Sequence, residues 1–419
     1  MYDFANSSYT TVVLTAIFSA YFVGTVAGRE MGYAPGTGTL LWTIAMGVSN
    51  LLVLLSAPVL GAVADFKACK KRFLAWSTVG CVLFTAMLGL VGKGEVGLGM
   101  SLVILSSFMF ATGENLIASF LPELARPEEM GKISGYGWAL GYLGGLLVLG
   151  LCLAYISWAE AQHHTITQYV PVTMWITAVA FAAAAIPTFL WLRERARPRL
   201  LPSGKSYARI GFERVRHTLR QARHFRDLFR FLVTLAVYYC GVNTVVVLAA
   251  IYAQEVMGFG VQETLWMVLV VNFTAAAGAL GFGFLQDRLG SVPTLAATLL
   301  VWIAALVLAY SIEDRLGFWV VANLIGIALG SSQSAGRALI GQFSPPERSA
   351  EFFGLWGLAG KLAAVIGPLS YGVITQASRG DHRLALLATA GFFIAGLALL
   401  ATVDERRGRE AARVPHAGP

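Results

Sequence analysis

The sequence predicts an all-α polytopic membrane protein, with twelve transmembrane helices in two pseudo-symmetric six-helix bundles. Three observations predict it. The 419 residues are 57% hydrophobic and only 13% charged, against about 25% charged in an ordinary soluble domain, and the mean hydropathy is +0.67. Apolar stretches of roughly 20 residues, the length that crosses a hydrocarbon core, recur twelve times. A long basic connection separates six of them from the other six, and short motifs reappear on its far side at a nearly constant offset. Continuous apolar runs, rather than alternating ones of about ten residues, exclude a β-barrel. The composition equally excludes a soluble enzyme, a disordered chain and a disulfide-stapled secreted domain.

The stretches run approximately 4–24, 39–64, 73–92, 98–121, 133–157, 170–192, 230–253, 264–285, 293–311, 317–340, 352–376 and 384–403. The first begins almost at Met1 but has no basic segment before it, carries Asp3 and Asn6, and shows no small-residue cleavage pattern, so it reads as a membrane helix and not a signal peptide. The second ends in a basic run, Lys67, Lys70, Lys71 and Arg72. The third and fourth are joined at Lys93. The fifth follows Arg126 and Lys132 and carries Gly137, Gly141 and Gly145 at the four-residue spacing that lets helices approach closely. The sixth stops at Arg193, where twelve basic residues begin that extend to Arg230. The eighth ends at Arg288, and the eleventh follows Arg348 and contains Gly367-Pro368. With the N-terminus inside, 24 Lys and Arg fall in inside loops and 5 outside, which fixes the orientation with both termini cytoplasmic. Arg337 and Lys361 remain, within or at the edge of spans.

The expected domains are therefore a bundle at 1–192, a basic cytoplasmic linker at 193–229, a bundle at 230–403 and a cytoplasmic tail at 404–419. The net charge of +8 is explained by this topology. The linker is read as lying on anionic headgroups, not nucleic acid, with an interfacial helix near Ile210–Phe225. Cys69, Cys81, Cys152 and Cys240 have no metal or redox spacing and read as small apolar fillers. No cofactor, metal or nucleic acid is expected, and the chain is expected to be a monomer.

The halves repeat. Gly61-x-x-x-Asp65 after the second stretch matches Gly283-x-x-x-Asp287 after the eighth, 222 residues on, and Pro127-Glu128, Gly135 and Gly141 match Pro346-Glu347, Gly354 and Gly360, 219 residues on. Six-helix halves in parallel repeat suit a secondary transporter with its substrate near the midplane. The Gly-x-x-x-Asp loops with clustered basic residues resemble the signature of the major facilitator superfamily, over essentially the whole chain. Tyr2-Asp-Phe-Ala-Asn-Ser7, Glu351-Phe-Phe-Gly354, Gly360-Lys361 and Gly367-Pro368 resemble its vacuole-effluxer-like branch, also called the "unknown major facilitator" family, whose fungal members are linked to autophagy and release amino acids from the vacuole.

The resemblance implies that Asp65 and Asp287 cap neighbouring helices and close the cytoplasmic side, with Lys71, Arg72 and Arg288 as basic partners; the other reading is of plain topogenic charges. Lys67 and Ala68 depart from the commoner arginine and glycine of the loop signature. The resemblance also implies that spans one, four, seven and ten line the cavity. Span one brings Asp3, Asn6, Ser7 and Thr10. Asp3 is either a proton-coupling acid or a helix cap. Glu114 in span four is the preferred proton-titrating group, since burial raises a carboxylate pKa; a permanent pair with Arg337 is the competing reading. Span ten presents Asn323, Gly326, Gly330, Gln333 and Arg337 on one face, and Arg337 could clamp a carboxylate through two hydrogen bonds or snorkel to the interface. Lys361 should pair with a carboxylate or a substrate anion. Tyr239 and Asn243 complete the expected substrate site of Asn6, Tyr239, Asn243, Gln333, Arg337 and Lys361.

The function expected is transport of a small polar organic solute, with an amino acid as the leading class, by alternating access with proton coupling, in a bacterial plasma membrane. A carrier of a lipid-like or hydrophobic compound is the alternative, and a transport-dead receptor or scaffold is the least favoured. Absent catalytic motifs argue against an enzyme.

Overall fold

The computed structural model describes residues 1–28, 32, 37–195, 225–259, 261–378 and 382–413, with isolated positions between 206 and 216. Most of the expected interfacial helix at Ile210–Phe225 lies outside the described residues.

Among the described residues, twelve long helices follow in order: α1 (Tyr2–Val26), α2 (Thr37–Lys67), α3 (Lys70–Leu88), α4 (Val96–Ala118), α5 (Met130–Ala161), α6 (Ile166–Trp191), α7 (Arg226–Glu255), α8 (Val261–Leu289), α9 (Ser291–Ser311), α10 (Arg315–Phe343), α11 (Ser349–Ala377) and α12 (His382–Leu400). A short helix α13 (Glu405–Arg413) closes the described chain. Among the described residues there is no β-strand. Eleven of these helices are long and apolar enough to cross a membrane. The exception is α3, whose first turn holds Lys70, Lys71 and Arg72 and whose inner face is polar at Ser77, Thr78 and Thr85. The breaks fall where local chemistry demands them. A capping box of Thr165 and Gln168 starts α6, and the Asp314 carboxylate accepts the Gly317 amide to start α10. Pro127 and Pro346 each open a one-turn 3₁₀ segment before α5 and α11.

α1 is the irregular member. It passes through π-helical windings at Thr10–Ala16 and Phe22–Val26, where the Ile17 amide reaches the Val12 carbonyl and the Ala27 amide the Phe22 carbonyl, five residues back. No sequence feature announces this.

The chain divides into two compact units. One holds residues 1–57, 66–117 and 140–199. In it α6 packs on α1 and α3, and Glu194, just past α6, accepts the Lys70 and Lys71 amides at 2.7 and 3.2 Å, capping α3. The other holds 58–65, 118–139 and 200–419, so it takes two short segments from the first half of the sequence. In it α8 lies along α10, α7 packs on α11 and α12, and α9 on α10 and α12. Glu405 caps α9 at the Val292 amide (2.9 Å), as Glu194 caps α3. No disulfide joins the cysteines.

Candidate functional site at the basic helix ends

The two Gly-x-x-x-Asp motifs sit in the last turns of α2 and α8, where a four-residue step puts glycine and aspartate on one face. Asp65 is only 4% exposed. Its carboxylate accepts the amides of Ala350 (3.2 Å) and Glu351 (2.9 Å), the second and third residues of α11. Asp287 accepts the amides of Gly131 (2.9 Å) and Lys132 (3.0 Å), the second and third residues of α5. Ala350 and Glu351 follow Gly131 and Lys132 by 219 residues, so the same contact occurs twice. The first amides of a helix have no partner inside it, and they carry its positive dipole end, so a buried carboxylate there is held by charge-assisted bonds.

The motif glycines permit the approach. A Cβ on Gly61 would stand 2.1 Å from the Ala350 carbonyl oxygen, and one on Gly283 would stand 2.8 Å from the Gly131 carbonyl oxygen. These are equivalent atoms of the two repeats. No side chain fits, because the obstacle is backbone.

The basic partners are not those expected. Arg72 and Arg288 are exposed. Arg288 follows Asp287 directly, and one helical step turns it about 100° away from the face that meets α5. Lys71 donates instead to the Leu192 carbonyl (2.6 Å). The cation beside the first contact is Arg348, which binds Glu351 through two bonds of 3.0 and 3.1 Å. Glu351 is 0% exposed, and the guanidinium lies over the adjoining rings of Phe225 and Phe352, 5.5 and 5.3 Å from their centroids. At the second contact Lys132 lies over Tyr136 and Phe284. Sequence reasoning counted Arg348 only as a topogenic charge. The signal it held was the Arg–Glu spacing of three residues beside Phe352.

Arg337 is 8% exposed. It donates to the Ser134 hydroxyl (3.1 Å) and carbonyl (2.8 Å) and lies 5.3 Å over Trp138. Ser134 in turn donates to the Ser334 carbonyl (2.8 Å). The guanidinium thus spans α5 and α10. Tyr239 is buried edge-on to Tyr238, and Asn243 donates to the Tyr239 carbonyl (2.8 Å). Gln333 and Lys361 are half-buried on α10 and α11.

In the other unit, Tyr2, Asn6 and Tyr9 form one buried face of α1. The Tyr2 and Thr78 hydroxyls share a bond of 2.6 Å, and Tyr9 meets Ser106 and Ser107 at 2.7 and 3.0 Å. Between them Asn6 Oδ1 is buried and accepts no hydrogen bond among the described residues. Asp3 and Glu114 are half-buried. Glu114 belongs to this unit and Arg337 to the other. Among the described residues, no three His, Cys, Asp or Glu side chains gather as a metal site would require.

A profile of vacuole effluxers like Atg22 matches residues 39–413. The chain belongs to the Atg22-like vacuole effluxer family, a branch of the major facilitator superfamily. It is 27% identical over 407 residues to an MFS-type transporter, YxiO, of Bacillus subtilis, covering 97% of this chain and 94% of that one. It is 25% identical over 300 residues to autophagy-related protein 22-1 of Aspergillus niger, covering 66% of this chain and 48% of that one, so it spans about half the length of the fungal relative. Its fold resembles that of the human organic anion transporter MFSD10, with a TM-score of 0.74 at 13% identity over 95% of this chain and 97% of the other. This Atg22-like chain is an integral membrane protein with a transporter's fold, and such transporters are not generally enzymes.

Proposed function

We propose that this chain is a secondary active transporter that moves a small polar organic solute, an amino acid being the leading class, by alternating access coupled to protons. The observation that carries the reading is the duplicated interlock, in which each Gly-x-x-x-Asp helix end holds the first turn of a helix from the opposite half of the sequence. Such contacts can be made and broken as a unit, because every partner is a helix-end amide or a short carboxylate side chain. In this reading the transporting parts are the six-helix halves 1–192 and 230–403. The basic helix ends face the cytoplasm of a bacterial cell, as the 24 to 5 distribution of Lys and Arg favours, and the interlocks form the cytoplasmic gate. Asn6, Tyr239, Asn243, Gln333, Arg337 and Lys361 bind the solute, with Arg337 reading its carboxylate when it leaves Ser134. Glu114 and Asp3 carry the proton.

The test is counterflow in proteoliposomes loaded with single amino acids, followed by uptake driven by a pH gradient. Saturable counterflow of an amino acid that is accumulated under an inward proton gradient supports the reading. Counterflow only of hydrophobic amines or lipid-like compounds would replace the cargo. No counterflow of either class would overturn transport itself.

A further inference from the structure

A buried hydrogen-bond chain joins the second interlock to the C-terminal helix. Gln286, the residue before Asp287, donates to the Ser291 hydroxyl (2.8 Å). Ser291 donates to Gln342 Oε1 (2.7 Å). Gln342 donates to the Pro127 carbonyl (2.8 Å). Pro127 opens the turn that leads into α5, whose Gly131 and Lys132 amides hold Asp287. The segment entering α5 is therefore fixed at two points, by Asp287 and by Gln342.

Arg409 of α13 donates to the same Gln342 oxygen (3.1 Å). The rest of α13 is seated around it. Arg409 also pairs with Glu405, which caps α9. Gly408 packs so closely on Phe343, the residue after Gln342, that a Cβ would fall 2.4 Å from its ring. Arg407 binds Asp227 at the start of α7 with two bonds, which raises the pKa of its guanidinium. Arg413 lies 3.7 Å from Glu128, next to Pro127.

We propose that Gln342 is a positioning residue that couples the seating of α13 to the seating of the turn entering α5, and so to closure of the proposed gate; the inference rests on that gate reading. The physical reason lies in the amide's two ends. Two donors, Ser291 and Arg409, converge on Oε1, and an amide oxygen has two lone pairs to accept them. Arginine can only donate. While Arg409 is in place the amide cannot flip, because its N–H₂ would meet a donor. Its N–H is therefore held toward the Pro127 carbonyl. Without Arg409, the Ser291 hydroxyl can rotate to accept, the amide can turn over, and Pro127 loses its fixed donor. Gln342 is 5% exposed, so water does not readily replace the missing bond.

Hydrogen exchange on the purified full-length protein tests this, read separately over residues 127–135 and 405–413. Arg409→Ala should speed exchange over 127–135 about tenfold, the weight of one charge-assisted bond. Arg409→Lys, which keeps a donor, should restore most of the protection. In a Gln342→Ala background, Arg409→Ala should add nothing over 127–135, because the relay is already cut. The coupling is overturned if Arg409→Ala changes 405–413 alone, or if the two substitutions add over 127–135. Asp287→Asn separates the two readings. If it leaves 127–135 unchanged, the interlock itself is not holding α5 and the gate reading fails. If it speeds exchange there while Arg409→Ala does not, only the coupling fails. Should Gln342→Ala not fold, the contrast between Arg409→Ala and Arg409→Lys still decides.

Discussion

Asp65→Asn removes the charge from the first interlock while keeping the side chain's shape. Asp65 now accepts two amides of α11 with two oxygens. Asparagine has one oxygen and one N–H₂, so one amide is kept and the other meets a donor. The loss is one charge-assisted hydrogen bond, about 1.5–3 kcal/mol, together with the attraction between a carboxylate and a helix N-terminus, about 0.3–1 kcal/mol. The group is almost fully buried, so solvent screening takes little away. A total of about 2–4 kcal/mol shifts the balance between engaged and released α11 by about 30- to 900-fold. Hydrogen exchange over residues 349–354 should accelerate by that factor, and over 127–135, held by Asp287, by much less. Counterflow should slow while substrate affinity stays within about twofold, since the substitution is remote from the proposed solute-binding residues. Unchanged protection over 349–354 would refute the reasoning, because the carboxylate would then not be what holds the helix.

Other perturbations address separate parts. Arg348→Met strips the bidentate partner from fully buried Glu351 and should cost about 3 kcal/mol, seen as a lower thermal midpoint; the double substitution Arg348→Met, Glu351→Leu should recover much of it. Ala68 adopts φ +48°, a left-handed conformation that glycine takes without strain, so Ala68→Gly should stabilise the turn between α2 and α3 by up to about 1 kcal/mol in thermal unfolding. Glu114→Gln should abolish accumulation driven by a pH gradient while sparing counterflow; intact driven uptake would remove it as the coupling group. Arg337→Ala should weaken a carboxylate-bearing solute at least about tenfold in a binding titration and leave a neutral analogue unaffected.

The sequence carried the twelve helices because lipid makes each span declare itself by length and apolarity. Even α3, which is less apolar than the rest, was legible from the basic run at one end and Lys93 at the other. Asp65 and Asp287 were legible as a pair because duplication preserved their spacing from glycine. Which helices they cap was not legible, because the capped groups are main-chain amides that every residue possesses. Arg72 and Arg288 attracted attention as charges near a carboxylate in sequence, yet a helix turns neighbouring residues away from each other. Arg348, Glu351 and Gln342 escaped for the opposite reason: their significance arises from residues far off in the chain, Phe225, Pro127 and Arg409 among them. The π-helical windings of α1 left no compositional trace.

The choice of backbone as partner has a mechanical consequence. A gate built from long ionic side chains can loosen gradually, because each side chain can follow its partner as the helices part. A carboxylate bound to two amides of a helix end cannot, since neither glycine-lined surface has a side chain to extend. A shift of roughly 1 Å takes both bonds beyond hydrogen-bonding range, so the interlock is engaged or released with little between. Burial also shields Asp65 from the ionic medium. Exchange over 349–354 should therefore change less than about twofold between low and high salt, whereas the exposed Arg413–Glu128 pair, with both side chains more than half accessible, should weaken over the same range. Strong salt dependence over 349–354 would mean that mobile surface charges, and not Asp65, hold the start of α11.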